Sequence, residues 1–261
     1  DEMCGETRFY FSTRYDHTEG RKKMTTEEMR SLEKNLKNKA LYQLNEYYAH
    51  NQKVVAQYGW FMEMNPDLYS PDIIEKKIDK EKTIELVIKG LMKHYETNLN
   101  EIIKEICKRH PERSDFIEEI MSGYKSGHIR LAILGIMSQV DGICNDKLKR
   151  IFFSKEKSAN NKWIPKIANK LLEVKNDFYK VYITPILDDC PTFVHQSKID
   201  MYPSKLNRHT AVHGEEINYG SKENFLKSIS VFKYVSDILY FSDRCTEYEK
   251  SFERDIYPYL L

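Results

Sequence analysis

Apolar positions recur along this chain at steps of three and four residues, the spacing of helices with one buried face. Leu32, Leu36, Ala40, Leu44 and Tyr47 form the first such stripe, and Thr25 followed by Glu28 reads as the capping box that opens it. Asn65-Pro66-Asp67 stops that helix and Ser70-Pro71-Asp72 opens the next piece. The segment 83–110 is predicted as one helix with Leu86, Leu91, Tyr95, Leu99, Ile102, Ile103 and Ile106 inward. Pro111 ends it, Ser114 is the expected cap of a helix over 115–124, and Gly123 and Gly127 frame a break.

The most apolar stretch is 129–148. Ile129, Ile133, Ile136, Met137, Val140 and Cys144 fall on nearly one face, and Leu131, Leu134 and Ile143 widen it, which predicts a helix at the centre of a bundle. Residues 154–162 read as a polar loop, 163–187 as a helix ended near Pro185, and 188–203 as a connector carrying Pro191 and Pro203. Pro203-Ser204 then signals a short helix to His213, with Gly214 placed to end it in a left-handed turn. Ser221 is the expected cap of a last helix whose inward positions are Phe225, Leu226, Ile229, Phe232, Val235, Ile238 and Leu239.

Only the aromatics of 8–15 resemble a strand, without an obvious partner, so 1–23 reads as an arm or short ribbon. The pattern predicts an all-α chain: the arm 1–23, an N-terminal helical region 24–125, and a helical bundle 126–261, the last two possibly one continuous domain.

Composition agrees with that picture. With 41% hydrophobic and 31% charged residues the chain can build a core under a charged surface, and 10 Gly and 8 Pro suit long helices. The 41 basic and 40 acidic residues leave a formal charge of +1, which argues against a general nucleic-acid-coating surface but permits a local basic cleft. Lysine-rich 155–166 can supply one, although a solvated loop explains it as simply. Cys4, Cys107, Cys144, Cys190 and Cys245 are scattered without a CxxC pair and read as reduced cytoplasmic thiols. No apolar run approaches the ~20 residues of a membrane span. The start at Asp1 rather than Met suggests trimming and leaves a targeting segment open.

Candidate chemistry concentrates in LNRHTAVHG, 206–214. His209 and His213 are four apart, so at ~100° per residue they share a helix face. Arg208 and His213 are five apart, about 140° around the axis by the same arithmetic. An HxxxH pair is also a metal-ligand spacing, but the zinc-protease version needs Glu directly after the first His, where this chain has Thr210. Glu215 or Glu216 as a third ligand would lie beyond the turn at Gly214. A histidine can move protons near neutral pH and an arginine can hold a phosphate, so the set suffices for RNA cleavage without a cofactor. His213 falls at the end of its helix, where the dipole favours its protonated form, while Arg208 opposes that. The plainer alternative, polar residues on a surface or interface helix, also remains open. Asn207 and Tyr219 are candidates for holding phosphate and stacking a base, or for facing water and packing the loop. Asp141 is a buried-polar candidate that orients a motif side chain or marks the wet end of its helix. His50, His94, His110, His128 and His195 are isolated in sequence and read as surface or core residues.

The string LNRHTAVHG…INYGSKENFLKSI resembles the HEPN superfamily, in particular its abortive-infection and toxin-like branches, and the helix ending SQVDGICND resembles the core helix before the motif in such proteins. The similarity covers roughly 126–250, with Arg208, His209 as the polar second residue, and His213 matching the family's motif. It implies an HEPN-like bundle and a metal-independent endoribonuclease that leaves a cyclic phosphate and a 5′-hydroxyl. It further implies a homodimer whose two motif helices form one composite site, and a role in toxin–antitoxin or anti-phage defence, restrained by an antitoxin or other regulatory protein. On this reading Arg208, His209 and His213 are catalytic, RNA is the substrate, and no cofactor is required. The alternative is a non-catalytic helical module that binds RNA or protein, with the motif helix as a dimer interface.

Overall fold

The computed structural model describes residues 46, 48–63, 81–158, 161, 163–174, 176–242 and 244. The arm 1–23, the capping box at Thr25, the stripe Leu32 to Tyr47 and the helix start at Ser70 lie outside these residues, as do Cys4 and Cys245. The chain is mostly helical, as the apolar periodicity predicts.

Residues 48–57 are helical (α1). The non-helical segment that follows enters the core, with Trp60, Phe61 and Met62 buried. Buried backbone without a helix needs other partners. Tyrosines supply them: Tyr95 donates to the Phe61 carbonyl at 2.7 Å and Tyr182 to the Met62 carbonyl at 3.1 Å. Ser230 Oγ accepts from the Phe61 N–H at 3.1 Å.

The predicted helix 83–110 is two, α2 (Glu81–Thr97) and α3 (Leu99–Arg109). They meet at Asn98, whose side chain donates back to the His94 carbonyl at 3.1 Å, a local bond that competes with the helical ladder. Leu91, Tyr95, Ile102, Ile103 and Ile106 are buried as expected, but Leu86 is 69% exposed and faces water. A single 3-10 turn at Pro111–Arg113 leads into α4 (Ser114–Lys125). Ser114 is the first helical residue and not the cap: its hydroxyl donates to the Cys107 carbonyl at 3.4 Å.

Helix α5 (Ile129–Leu148) has the predicted limits and buries Ile133, Ile136, Met137, Val140, Ile143 and Cys144. It packs closely on α4, since a Cβ on Gly135 would lie 2.7 Å from Ile120. Its outer side, with Leu131 at 67% exposure, is open, so α5 does not occupy the centre. That position belongs to the last helix, α9 (Lys222–Phe241), whose residues 225–239 are all buried. Ser221 caps it as expected, accepting from the Asn224 N–H.

The stretch between α5 and the motif differs most from expectation. Lys155–Lys157 (β1) and Trp163–Pro165 (β2) form an antiparallel ribbon with Lys157 opposite Trp163. The predicted helix over 163–187 is replaced by β2, α6 (Lys166–Leu171), α7 (Asp177–Tyr182) and a 3-10 turn at Thr184–Leu187. Asn176 caps α7 by accepting from the Tyr179 N–H at 2.8 Å, and such a capping side chain favours a new start over a continuing helix. Another 3-10 turn, Gln196–Met201, lies in the connector.

Candidate functional site

The motif helix, α8, spans only Arg208–Val212. Its cap is Asn207, not the Pro203-Ser204 pair. Asn207 Oδ1 accepts from the N–H groups of His209 at 2.9 Å and Thr210 at 3.3 Å. Its Nδ2 donates to the carbonyls of Pro191 at 2.6 Å and Val194 at 2.9 Å. At 1% exposure Asn207 neither holds a phosphate nor faces water; it pins the helix to the connector. The Arg208 N–H adds a bond to the Thr192 carbonyl at 3.1 Å. Ser204 is buried and its hydroxyl accepts from Lys227 Nζ at 3.2 Å.

The helix closes at its other end as expected. Gly214 adopts φ 73°, and the Glu215 N–H reaches back to the Thr210 carbonyl at 2.9 Å, the long bond of a left-handed C-terminal turn. His213 occupies the C-cap and its N–H bonds the His209 carbonyl.

These constraints set out two pairs of side chains. His209 and His213 are exposed, with ring centroids 4.4 Å apart, and Glu215 Oε1 lies 3.7 Å from His209 Nε2. Arg208 turns away from them toward α5, where its Nη2 is 3.5 Å from Asp141 Oδ2 and its guanidinium lies 5.7 Å from the centre of the Phe153 ring. Asp141 also accepts from the Phe153 N–H at 3.0 Å. Burial raises the Asp141 pKa above the ordinary carboxylate value, and this hydrogen bond and Arg208 only partly offset it. Asp141 therefore contacts a motif side chain, that of Arg208. Tyr219 is buried and packs in the core, so its ring is not offered to a base. Among the described residues, no hydrogen bond or ion pair joins Arg208 to His213. No three His, Cys, Asp or Glu side chains there converge as a metal site either.

Two further features complete the picture, the first drawing on Lys155 and Trp163 of the lysine-rich stretch 155–166 and the second outside the sequence-based candidates. One is a groove of about 380 Å³ beside His209, lined by residues of the ribbon and the connector. The other is a buried ionic cluster. Lys233 Nζ lies 2.7 Å from Asp237, 3.1 Å from Glu63 and 3.2 Å from Glu105. Arg109 bridges Asp237 and Glu105, and His94 pairs with Glu63. Burial acts to raise the Glu63 pKa, yet the His94 hydrogen bond and the Lys233 charge hold it below the ordinary carboxylate value. The i,i+4 spacing of Lys233 and Asp237 among the inward positions Phe232, Val235, Ile238 and Leu239 was the sequence signal for this cluster. A larger cleft, about 650 Å³, borders Glu105 and Arg109 but shares no lining residue with the motif helix.

The chain matches no known family model, no curated protein and no solved structure.

Proposed function

We propose that this chain is a metal-independent endoribonuclease of HEPN type, acting in the cytoplasm as a homodimer in toxin–antitoxin or anti-phage defence. The observation that carries the reading is the exposed His209–His213 pair standing beside an arginine fixed by a carboxylate. An RNA 2′-hydroxyl attacks the neighbouring phosphorus as its proton leaves, the bond from phosphorus to the 5′-oxygen breaks, and that oxygen takes up a proton. The products are a cyclic phosphate and a 5′-hydroxyl. His213 moves the protons as general acid and base, and His209 positions it or carries the second proton. Arg208 binds the scissile phosphate and stabilises the charge that grows on it.

Arg208 at the start of the five-residue helix turns to Asp141, whereas His213 at its C-cap lies with His209, so one helix presents them awkwardly to one phosphate. A second copy resolves this by facing its own motif helix across the cleft. Exposed Val212 and Ile217 beside the motif offer apolar surface for that contact.

The ion pair with Asp141 also favours a second reading, in which Arg208 is structural and the helix serves a non-catalytic RNA- or protein-binding module. Cleavage of RNA in EDTA by purified wild type, Arg208→Ala and His213→Ala separates the two. Activity lost in both variants supports the nuclease, and equal cleavage by all three proteins sinks it. A dimer without activity supports the module.

A further inference from the structure

The groove beside His209 is built from parts that ordinarily serve other ends. Phe153 and Phe193 contribute aromatic walls, Trp163 stands on β2, and Lys155 and Lys198 approach from the ribbon and the connector. The chain has two tryptophans. Trp60 is fully buried in the core, whereas Trp163 is 56% exposed. The Trp163 ring is thus largely open to solvent, held on a two-stranded ribbon at the edge of the groove. Cations attend these rings: Lys155 Nζ lies 5.1 Å from the Phe193 ring centre and Lys157 Nζ 5.8 Å from that of Trp163. Asp189, the one carboxylate among the described lining residues, does not make the groove acidic. One of its oxygens takes Lys155 at 2.8 Å and the other Lys198 at 3.3 Å, so its charge is met twice over.

Flat π-faces flanked by cations recognise a planar group attached to an anion, as single-stranded nucleic-acid sites do. The groove also shares His209 with the motif helix, so a chain whose phosphate lies at the histidine pair has its neighbouring nucleotide within reach of the rings. We propose that this groove is a nucleobase subsite for single-stranded RNA, in which Trp163 stacks on a base next to the scissile phosphate while Lys155 and Lys198 face the backbone. The choice of RNA as ligand rests on the ribonuclease reading; the subsite itself is read by binding alone.

The probe is a 2′-O-methyl tetranucleotide, which lacks the attacking hydroxyl, with an abasic sugar–phosphate of the same length as comparison. The full chain is titrated and both tryptophan fluorescence and the anisotropy of a labelled probe are followed. The base-bearing probe is expected to quench the exposed Trp163 and to bind more tightly than the abasic one. Trp163→Ala is expected to abolish the quench and weaken binding about tenfold, the scale of one base–aromatic stack, while Trp163→Phe keeps most of the affinity. Because the ring is exposed, neither variant threatens the fold. Equal binding of the two probes, no binding of either, or affinity indifferent to Trp163→Ala overturns the subsite. If His213→Ala abolishes cleavage while Trp163→Ala leaves probe affinity unchanged, the subsite falls and the nuclease stands. If His213→Ala cleaves normally but Trp163→Ala loses the probe, the nuclease falls and the base site stands.

Discussion

The guanidinium of Arg208 lies 3.5 Å from the carboxylate of Asp141, and the two residues come from helices that only tertiary packing brings together. The contact ties the arginine side chain to α5. That carboxylate is more than half buried, and burial raises its pKa.

The sign of that shift makes a prediction. A carboxyl whose folded pKa exceeds its unfolded value contributes stability at low pH, which is lost as pH rises through the range between the two. Ionised Asp141 therefore detracts from stability at neutral pH. Asp141→Asn keeps an acceptor for the Phe153 N–H and removes the charge, so its melting temperature at pH 7 should equal or exceed that of wild type, with the gap narrowing as the pH is lowered. Under the proposed ribonuclease reading, RNA cleavage falls in the same variant. A clear loss of stability at pH 7 would show that the Arg208 pair outweighs the burial of Asp141.

Glu63 behaves in the opposite sense. Its folded pKa lies below the ordinary 4.5, so its contribution is present above that value and is lost as pH falls through the lowered folded one. Acid unfolding of the wild type should steepen below about pH 4.5, and Glu63→Gln should flatten that limb. Circular dichroism against pH checks it; identical acid limbs would exclude Glu63 as a contributor.

Lys233 is the hub of the buried charges, 3% exposed and in contact with three carboxylates. Removing one partner from such a cluster strands the others. Lys233→Met should cost about 3–5 kcal/mol in denaturant unfolding, whereas the exposed Lys104→Met should cost less than about 1 kcal/mol. Similar midpoints for the two variants would contradict the role assigned to Lys233.

Asn207→Ala removes a helix cap and two donors to buried carbonyls at once. A loss of about 2–4 kcal/mol is expected, above the ~1 kcal/mol of an ordinary cap. Asn207→Asp keeps the capping acceptor and loses the donors, so it should fall between. Equal stability of Asp and Asn at this position would mean the connector bonds contribute nothing.

Burial pushes the Cys190 thiol up to about 12 and that of Cys144 well above its ordinary value. Both should resist alkylation at pH 8 in native protein and react only on unfolding. Peptide mapping by mass spectrometry reads this directly, and rapid native labelling of Cys190 would refute its burial.

The sequence showed the helices whose apolar period is long and uninterrupted, such as Ile129–Leu148 and Lys222–Phe241, with the caps and stops that rest on local chemistry, Ser221 and Gly214. It misjudged which of the two long helices is central, because α9 carries Lys227, Lys233 and Asp237, which find partners in distant segments at Ser204, Glu63 and Arg109. Periodicity also failed between 154 and 203, where short pieces are held by contacts far apart in sequence, such as Lys155 with Asp189. At the site, the four-residue step placed His209 and His213 together, but no spacing rule leads from Arg208 to Asp141 or from Asn207 to Pro191.

A helix of five residues has almost no stability of its own. The arrangement of His209 and His213 is borrowed from Pro191, Thr192 and Val194, which grip the helix from beneath through Asn207 and Arg208. Transplanting 207–214 into another bundle would carry the letters and leave the geometry behind. A loosened connector would disarm the motif without touching any of its residues, which makes 191–194 the natural place for variation to tune it.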